Sequence, residues 1–195
     1  NAGALAARKG LPARLYDALV PSAHAHAGSE HFNGGEVRGE WVGQIAVDLV
    51  GAATVDLGSI EGIAGKARSA SVLLEPPRSV AVGDVACLRG HHAYAVGIAE
   101  RDGVVVPFEG GLDIENEGTL RAVTGIPVDV DLDDGLRLAL RVDPRAWFDQ
   151  AQFDRLTEKS AAGRALVTPE SQVRTAWFIG ARGAAAFAIR LEPAP

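Results

Sequence analysis

Apolar and polar residues alternate along much of the chain, and this pattern predicts a protein built mainly from β-strands. A period of two places the apolar side chains on one face, as in a strand that is buried on one side only. The alternation is most regular over residues 136–142, where leucine and valine alternate with arginine and alanine. Further strands are predicted at residues 44–50, 66–75, 85–100, 104–114, 122–132 and 184–191.

Two turn signals are predicted to join these strands into hairpins. Asp102-Gly103 lies between two apolar runs, and Asp-Gly in that position favours a two-residue hairpin turn. Asp134-Gly135 stands in the same way between the runs at 122–132 and 136–142. We therefore expect each turn to pair the two strands that flank it.

The C-terminal part of the chain carries helix signals. Asp143-Pro144 and Thr168-Pro169 each place a capping residue before a proline, as at the first turn of a helix. The first signal predicts a short helix over residues 144–149. The second is followed by apolar residues at helical spacing and predicts a helix that ends near Gly180 or Gly183.

Short strands with regular turn signals favour a single antiparallel β-sandwich of the transthyretin or immunoglobulin type, with one or two short helices near the C-terminus. We expect this domain to span residues 21–195, preceded by a partly flexible N-terminal segment at residues 1–20. Large aromatic side chains carry much of the burial in a core. The core aromatics are predicted to be Trp41, Trp147, Phe148, Phe153, Trp177 and Phe178. A ligand platform or a partner surface is an alternative role for Trp41, which lies between Gly39 and Gly43.

Composition narrows the function classes. The net charge of −6 and the absence of a lysine or arginine cluster argue against a nucleic-acid surface, and no apolar run is long enough to be a transmembrane segment. The single cysteine, Cys87, excludes an internal disulfide and lies in an apolar run, which favours a buried structural thiol. Because the chain has no methionine, we expect N-terminal processing and an extracytoplasmic location, in the periplasm or at the cell surface.

The five histidines are the candidate metal ligands of this sequence. His24, His26 and His31 fall within ten residues, and His91 and His92 are adjacent. Histidines one residue apart in an extended segment point to the same side, and imidazole is a common ligand of copper and zinc. We predict a copper or zinc site formed by His24, His26 and one of His91 or His92. His31 is predicted to complete the site. Binding should weaken as pH falls through about 6.5, because ligation needs neutral imidazole.

Other interpretations of these residues remain open. Glu30 is an alternative to His31 as the completing ligand, and the histidines near residue 24 also fit an alanine- and glycine-rich loop without a metal. On a strand beginning at Gly90, His91 and His92 would face opposite ways, so that only one could join a site.

Other catalytic and metal motifs are absent from the sequence. Residues 129–135 contain four aspartates before a glycine, but the sixth and twelfth positions, Asp134 and Leu140, do not match a calcium loop. A strand with one solvated face is therefore favoured there. No nucleophile elbow and no glycine-rich phosphate loop occurs, so we do not predict an enzyme. A hydrolase would need a pocket that holds a histidine and a carboxylate in hydrogen-bond reach.

Two stretches carry a resemblance to known proteins. Residues 44–50 (Gln-Ile-Ala-Val-Asp-Leu-Val), followed by Ala64-Gly65 and a strand, resemble exported bacterial lipoprotein domains of unknown function. Residues 90–99 (Gly-His-His-Ala-Tyr-Ala-Val-Gly-Ile-Ala) and 142–149 are similar to uncharacterised bacterial lipoproteins and, more distantly, to periplasmic copper-binding proteins associated with methanobactin. The resemblance covers residues 20–192 and implies an exported β-sandwich that binds a metal.

Two functions are therefore expected. The first is an extracytoplasmic copper- or zinc-binding protein that uses the histidine cluster. The alternative is a cell-surface structural or interaction module without catalytic activity, with a protein partner or as a subunit of a larger assembly. That alternative predicts an exposed apolar patch or an unpaired sheet edge.

Overall fold

The computed structural model describes residues 36–51, 54–78, 81–115 and 120–192, and the described residues from Arg38 onward form one compact unit. Strand outweighs helix, which confirms the predicted mainly-β class. The strands are β1 (Ile45–Ala46), β2 (Gly65–Leu73), β3 (Val82–Gly83), β4 (Ala93–Arg101), β5 (Val104–Leu112), β6 (Ala122–Leu132), β7 (Arg137–Val142), β8 (Ala165–Val167) and β9 (Phe187–Glu192). Helix α1 covers Gln172–Ala181.

The described strands form several small sheets, and a single antiparallel sandwich is not confirmed. β2 pairs with β6 and β7 pairs with β9, both antiparallel. β4, β5 and β8 form a three-stranded sheet in which β5 and β8 are parallel, and β1 and β3 form a short parallel pair. Parallel pairing needs a long connection, and the segments between β1 and β3 and between β5 and β8 provide it.

The hairpin predicted at Asp102-Gly103 is confirmed. Both turn residues have positive φ, at 52° and 78°, as a type I′ turn requires. β4 and β5 pair over their whole length from Ala93 opposite Leu112 to Arg101 opposite Val104. The turn therefore fixes which residue of β4 lies opposite which residue of β5.

The prediction of a hairpin at Asp134-Gly135 is wrong, because the two strands on either side of this turn do not pair with each other. β6 and β7 lie on either side of this turn, but β6 pairs with β2 and β7 pairs with β9. β6 alternates buried and exposed residues regularly, and its exposed Asp129 forms an ion pair with Lys66 of β2, with 2.8 Å between carboxylate and ammonium. The prediction of a strand with one solvated face, rather than a calcium loop, is therefore confirmed here.

The strand predicted at residues 85–100 begins later than expected. Val85–Leu88 form a 3₁₀-helix. Asp84 caps its N-terminus, and Asp84 Oδ1 accepts a hydrogen bond from Ala86 N–H. Arg89 and Gly90 then have positive φ, which is incompatible with a strand, and β4 begins only at Ala93. Consequently Cys87 is exposed, and the prediction of a buried thiol is wrong.

The C-terminal helix is confirmed, and its capping residue is Ser171. The Ser171 hydroxyl accepts a hydrogen bond from Arg174 N–H at 3.1 Å and donates one to the carbonyl of Thr168 at 2.7 Å. The predicted helix at 144–149 is a 3₁₀ turn at Ala146–Phe148. The strand predicted from residue 184 begins three residues later, because residues 184–186 form another 3₁₀ turn.

The hydrophobic core lies between α1, the β4–β5–β8 sheet and the inner face of β6. Trp177 is the largest fully buried side chain, and its ring centroid lies 4.9 Å from that of Phe148. Phe108, which the sequence pattern did not single out, packs 4.3 Å from Phe153. Trp41 lies outside the described core and donates from Nε1 to the carbonyl of Leu57.

One carboxylate, Glu109 on β5, is buried with 8% of its surface exposed. The Ser160 hydroxyl and then the Arg164 guanidinium lower the pKa of Glu109, against the effect of burial. The Ser160 hydroxyl makes no hydrogen bond of good geometry, whereas Arg164 Nη1 donates to Glu109 Oε2 at 3.0 Å. The ion pair with Arg164 is therefore the contact that compensates this buried charge.

Candidate functional site

The adjacent histidines lie in the turn that leads into β4. His91 N–H donates to the carbonyl of Leu88 at 2.9 Å, and His92 N–H donates to the carbonyl of Leu112 at 3.0 Å. The positive φ of Arg89 and Gly90 turns the chain at this point. The two histidines are thus held in a tight turn rather than in the regular part of a strand.

Both histidines face Asp113, which follows β5. His91 Nδ1 lies 2.8 Å from Asp113 Oδ2, and His92 Nδ1 lies 3.6 Å from Asp113 Oδ1. The expectation that the two rings point in opposite directions is therefore wrong. Strand alternation begins only at Ala93, so it does not govern these two positions.

Among the described residues, none hydrogen-bonds to the second ring nitrogen of His91, Nε2. Its side chain is 35% exposed, and a carboxylate beside Nδ1 favours the tautomer in which Nδ1–H donates to Asp113 and Nε2 is a free acceptor. The ring stacks on Tyr94, with 6.0 Å between centroids and 20° between planes. Arg89 covers Tyr94 in turn and donates from Nη1 to its hydroxyl at 2.8 Å. The imidazole is therefore held in one orientation.

Gly111 makes room for the His91 ring. A Cβ at this position would lie 2.5 Å from His91 Nδ1 and closer still to two carbons of the ring. Gly111 pairs with Tyr94, so the imidazole lies over the backbone of β5 beside its stacking partner. A side chain at Gly111 would therefore displace the ring from Asp113.

His92 is buried, with 8% of its side chain exposed. Burial lowers its pKa, and the Arg121 guanidinium lowers it further, whereas Asp113 raises it. Its Nδ1 accepts a long hydrogen bond of 3.4 Å from Ile114 N–H, and its Nε2 has no hydrogen-bond partner among the described residues. The side chain of His92 is thus less exposed than that of His91, and its lowered pKa favours the neutral imidazole.

Helix α1 fixes the position of Asp113. Arg174 Nη2 donates to the backbone carbonyl of Asp113 at 2.7 Å, while the carboxylate faces the histidines. Sequence reasoning missed Asp113, but a signal for it existed. Counting back along both strands from the Asp102-Gly103 turn places Asp113 opposite His92.

The other predicted ligands are not located. His24, His26 and His31 lie outside the described residues. Within the described ranges, no group of three or more His, Cys, Asp or Glu side chains is arranged to hold a metal ion. The Nδ1 atoms of His91 and His92 both face the carboxylate of Asp113 rather than a common point where an ion could lie. These three residues are therefore not sufficient by themselves to hold a metal ion.

Comparison with known proteins identifies no relative. No protein-family model, curated protein or solved structure matches the chain. Within the part of the chain that the structure describes, no helix has the length and apolar character needed to cross a membrane. Function is therefore inferred from the site itself.

Proposed function

We propose that this protein binds a zinc or copper ion and that Nε2 of His91 is one of the ligands. The observation that supports this function is the 2.8 Å contact between His91 Nδ1 and Asp113. Histidines that ligate metals usually donate their other ring N–H to a carboxylate, which fixes the tautomer and makes the ligating nitrogen more basic. The partly exposed imidazole has this arrangement and can be approached from solvent.

The remaining ligands are proposed to be His24 and His26, with His31 completing the site. One imidazole holds a metal weakly, whereas structural zinc sites use four protein ligands and copper sites use several imidazoles. In this proposal His92 is not a ligand, because its Nε2 is enclosed by protein. The protein is proposed to act outside the cytoplasm and without catalysis.

Metal titration of the full chain tests this proposal. We expect one Zn(II) or Cu(II) per chain, measured by calorimetry and by competition with a chromophoric chelator. His91→Ala and the double variant His24→Ala/His26→Ala should each weaken binding more than tenfold. Asp113→Asn should weaken it about 10–100-fold, because it removes the charge that orients the imidazole.

All titrations should be made in a Cys87→Ser background, because the exposed thiol could bind the same ions. Arg101→Gln is a matched control, since Arg101 lies at the end of β4 that is remote from the histidine turn. The nitrogen hyperfine pattern of bound Cu(II) gives a second measurement. The proposal is wrong if the parent binds no metal, or if the histidine variants bind it as tightly as the control.

A second candidate function, an interaction module, is favoured by strand β4. Among the described strands β4 pairs only with β5, so its other edge has no strand partner there. Val96 and Ile98 on its outer face are 51% and 70% exposed. A long apolar edge strand is a template for pairing with another chain, and a second copy of the same strand can pair with it around a twofold axis.

Ile98→Lys tests the interaction module. The substitution brings two ammonium groups together if β4 pairs with a second copy, which should weaken dimerisation by tenfold or more. Sedimentation equilibrium over a range of protein concentrations measures the effect. Ile179→Lys, on the exposed face of α1, is the matched control. A parent protein that is monomeric at all concentrations would exclude self-pairing.

A further inference from the structure

A cavity of about 470 Å³ lies where β7 ends and β9 begins. This volume is within the range of small-molecule sites. The cavity is separate from the histidine pair, and none of its lining residues takes part in the metal proposal. From β7, β9 and the segments around them, it is lined by Leu49, Val50, Arg141, Val142, Asp143, Pro144, Arg145, Ala185, Ala186, Phe187 and Ala188.

Two arginines give this cavity its charge. The guanidinium groups of Arg141 and Arg145 make no ion pair and no hydrogen bond with any described residue, although the chain as a whole carries a net charge of −6. Arg190 lies on the same face of the β7–β9 sheet as Arg141, at the diagonal position of the register. Arg141 and Arg190 therefore share one face of this sheet, and Arg145 lines the same cavity as Arg141.

Among the described lining residues, Asp143 carries the one carboxylate, and this group already accepts a hydrogen bond. Asp143 Oδ1 accepts a hydrogen bond from the backbone N–H of Arg145 at 3.0 Å, and Asp143 N–H donates to the carbonyl of Ala186 at 2.8 Å. The carboxylate thus caps the turn that follows β7. Its charge offsets one of the two lining arginines, so that a net positive charge remains, reinforced by Arg190.

The rest of the lining is apolar. Leu49, Val50 and Pro144 are apolar lining residues, and alanines complete the wall on the β9 side. Ala188 pairs with Arg141 in the strand register and therefore shares its face of the sheet. A ligand that fits both parts has a compact apolar body and an oxyanion at one end.

We propose that this cavity binds a small organic phosphate, with Arg141 and Arg145 holding the phosphate oxygens. The guanidinium group presents a planar fork of N–H donors that matches phosphate and carboxylate oxygens in pairs, and such charge-assisted hydrogen bonds are among the strongest. A dianionic phosphate monoester uses both arginines, whereas a carboxylate occupies one. The apolar wall then selects the organic part.

Phenyl phosphate is the probe that tests this site, because it combines a dianion with a compact apolar ring. Calorimetry on the full chain should show saturable binding of one molecule, weaker binding of inorganic phosphate, and no binding of phenol. Arg141→Gln/Arg145→Gln should weaken phenyl phosphate binding tenfold or more. Arg101→Gln, which removes an exposed arginine from the β4–β5 turn, should leave it unchanged.

Vesicles of phosphatidylcholine with and without phosphatidic acid separate a soluble ester from a lipid headgroup. Binding to the phosphatidic acid vesicles without binding of phenyl phosphate would overturn the proposal. Absence of saturable binding to the parent protein, or equal weakening by Arg101→Gln, would also overturn it. The parent titration gives a result even if the double variant fails to fold. The metal titration is independent of this result, because the two sites share no residue.

Discussion

Replacement of Trp177 by alanine should lower the free energy of unfolding by about 3–5 kcal/mol. Trp177 lies on α1 with 1% of its surface exposed, in the centre of the buried cluster. Its ring packs against Phe148, and the helix that carries it closes one side of the core. Truncation removes the largest buried side chain and leaves a cavity that the neighbouring 3₁₀ turn at Ala146–Phe148 cannot fill.

Chemical denaturation followed by circular dichroism measures this change. Ile179→Ala is the matched control, because Ile179 lies on the same helix and is 64% exposed. It should change stability by no more than about 0.5 kcal/mol. A loss below about 1.5 kcal/mol for Trp177→Ala would contradict the described packing of α1, since a buried tryptophan contributes more than this.

Gly180→Ala should also destabilise the protein, by about 1–3 kcal/mol, although glycine-to-alanine changes usually stabilise helices. A Cβ at Gly180 would lie 2.8 Å from Cα of Trp147 and closer still to its carbonyl carbon and oxygen. These are backbone atoms of the adjacent 3₁₀ turn, so no rotamer change relieves the collision. The cost of moving the turn should exceed the gain in helix propensity, which is about 1 kcal/mol.

The sign of this effect is the decisive result. Thr175→Ala, at an exposed position of α1, provides the comparison, because it gains helix propensity without entering the contact. It should be neutral or stabilising in the same denaturation experiment. An increase in stability for Gly180→Ala would show that α1 and the 3₁₀ turn are not in backbone contact.

Local signals predicted the local parts of this fold. The Asp102-Gly103 turn, the β4–β5 hairpin and helix α1 are encoded by residues within each element, through turn conformation, alternation and capping. The partners of β6 and β7 were predicted incorrectly, because Asp134-Gly135 favours a turn without determining which strands pair. Pairing between distant strands depends on burial of whole faces, and a single sequence does not contain that information in local form.

The candidate site was also predictable only in its local features. The sequence identified His91 and His92 as chemical candidates, but assuming a regular strand from Gly90 placed them on opposite sides. The positive φ of Arg89, a residue that is not glycine, was not predictable from alternation. Asp113 was accessible through the hairpin register, whereas the room that Gly111 makes for the imidazole depends on three-dimensional packing.

The non-sequential pairing of the strands also bears on how the chain folds. The partner of β2 lies beyond the β4–β5 hairpin in the chain, and the partner of β7 lies beyond α1, so both pairings close long loops. Such topologies fold slowly, since the loss of chain entropy precedes the gain in burial. During synthesis on the ribosome, β7 emerges before β9, so its half-exposed leucines have no strand partner until residues 187–192 follow. Apolar side chains exposed in this way favour aggregation, against which chaperones protect nascent chains.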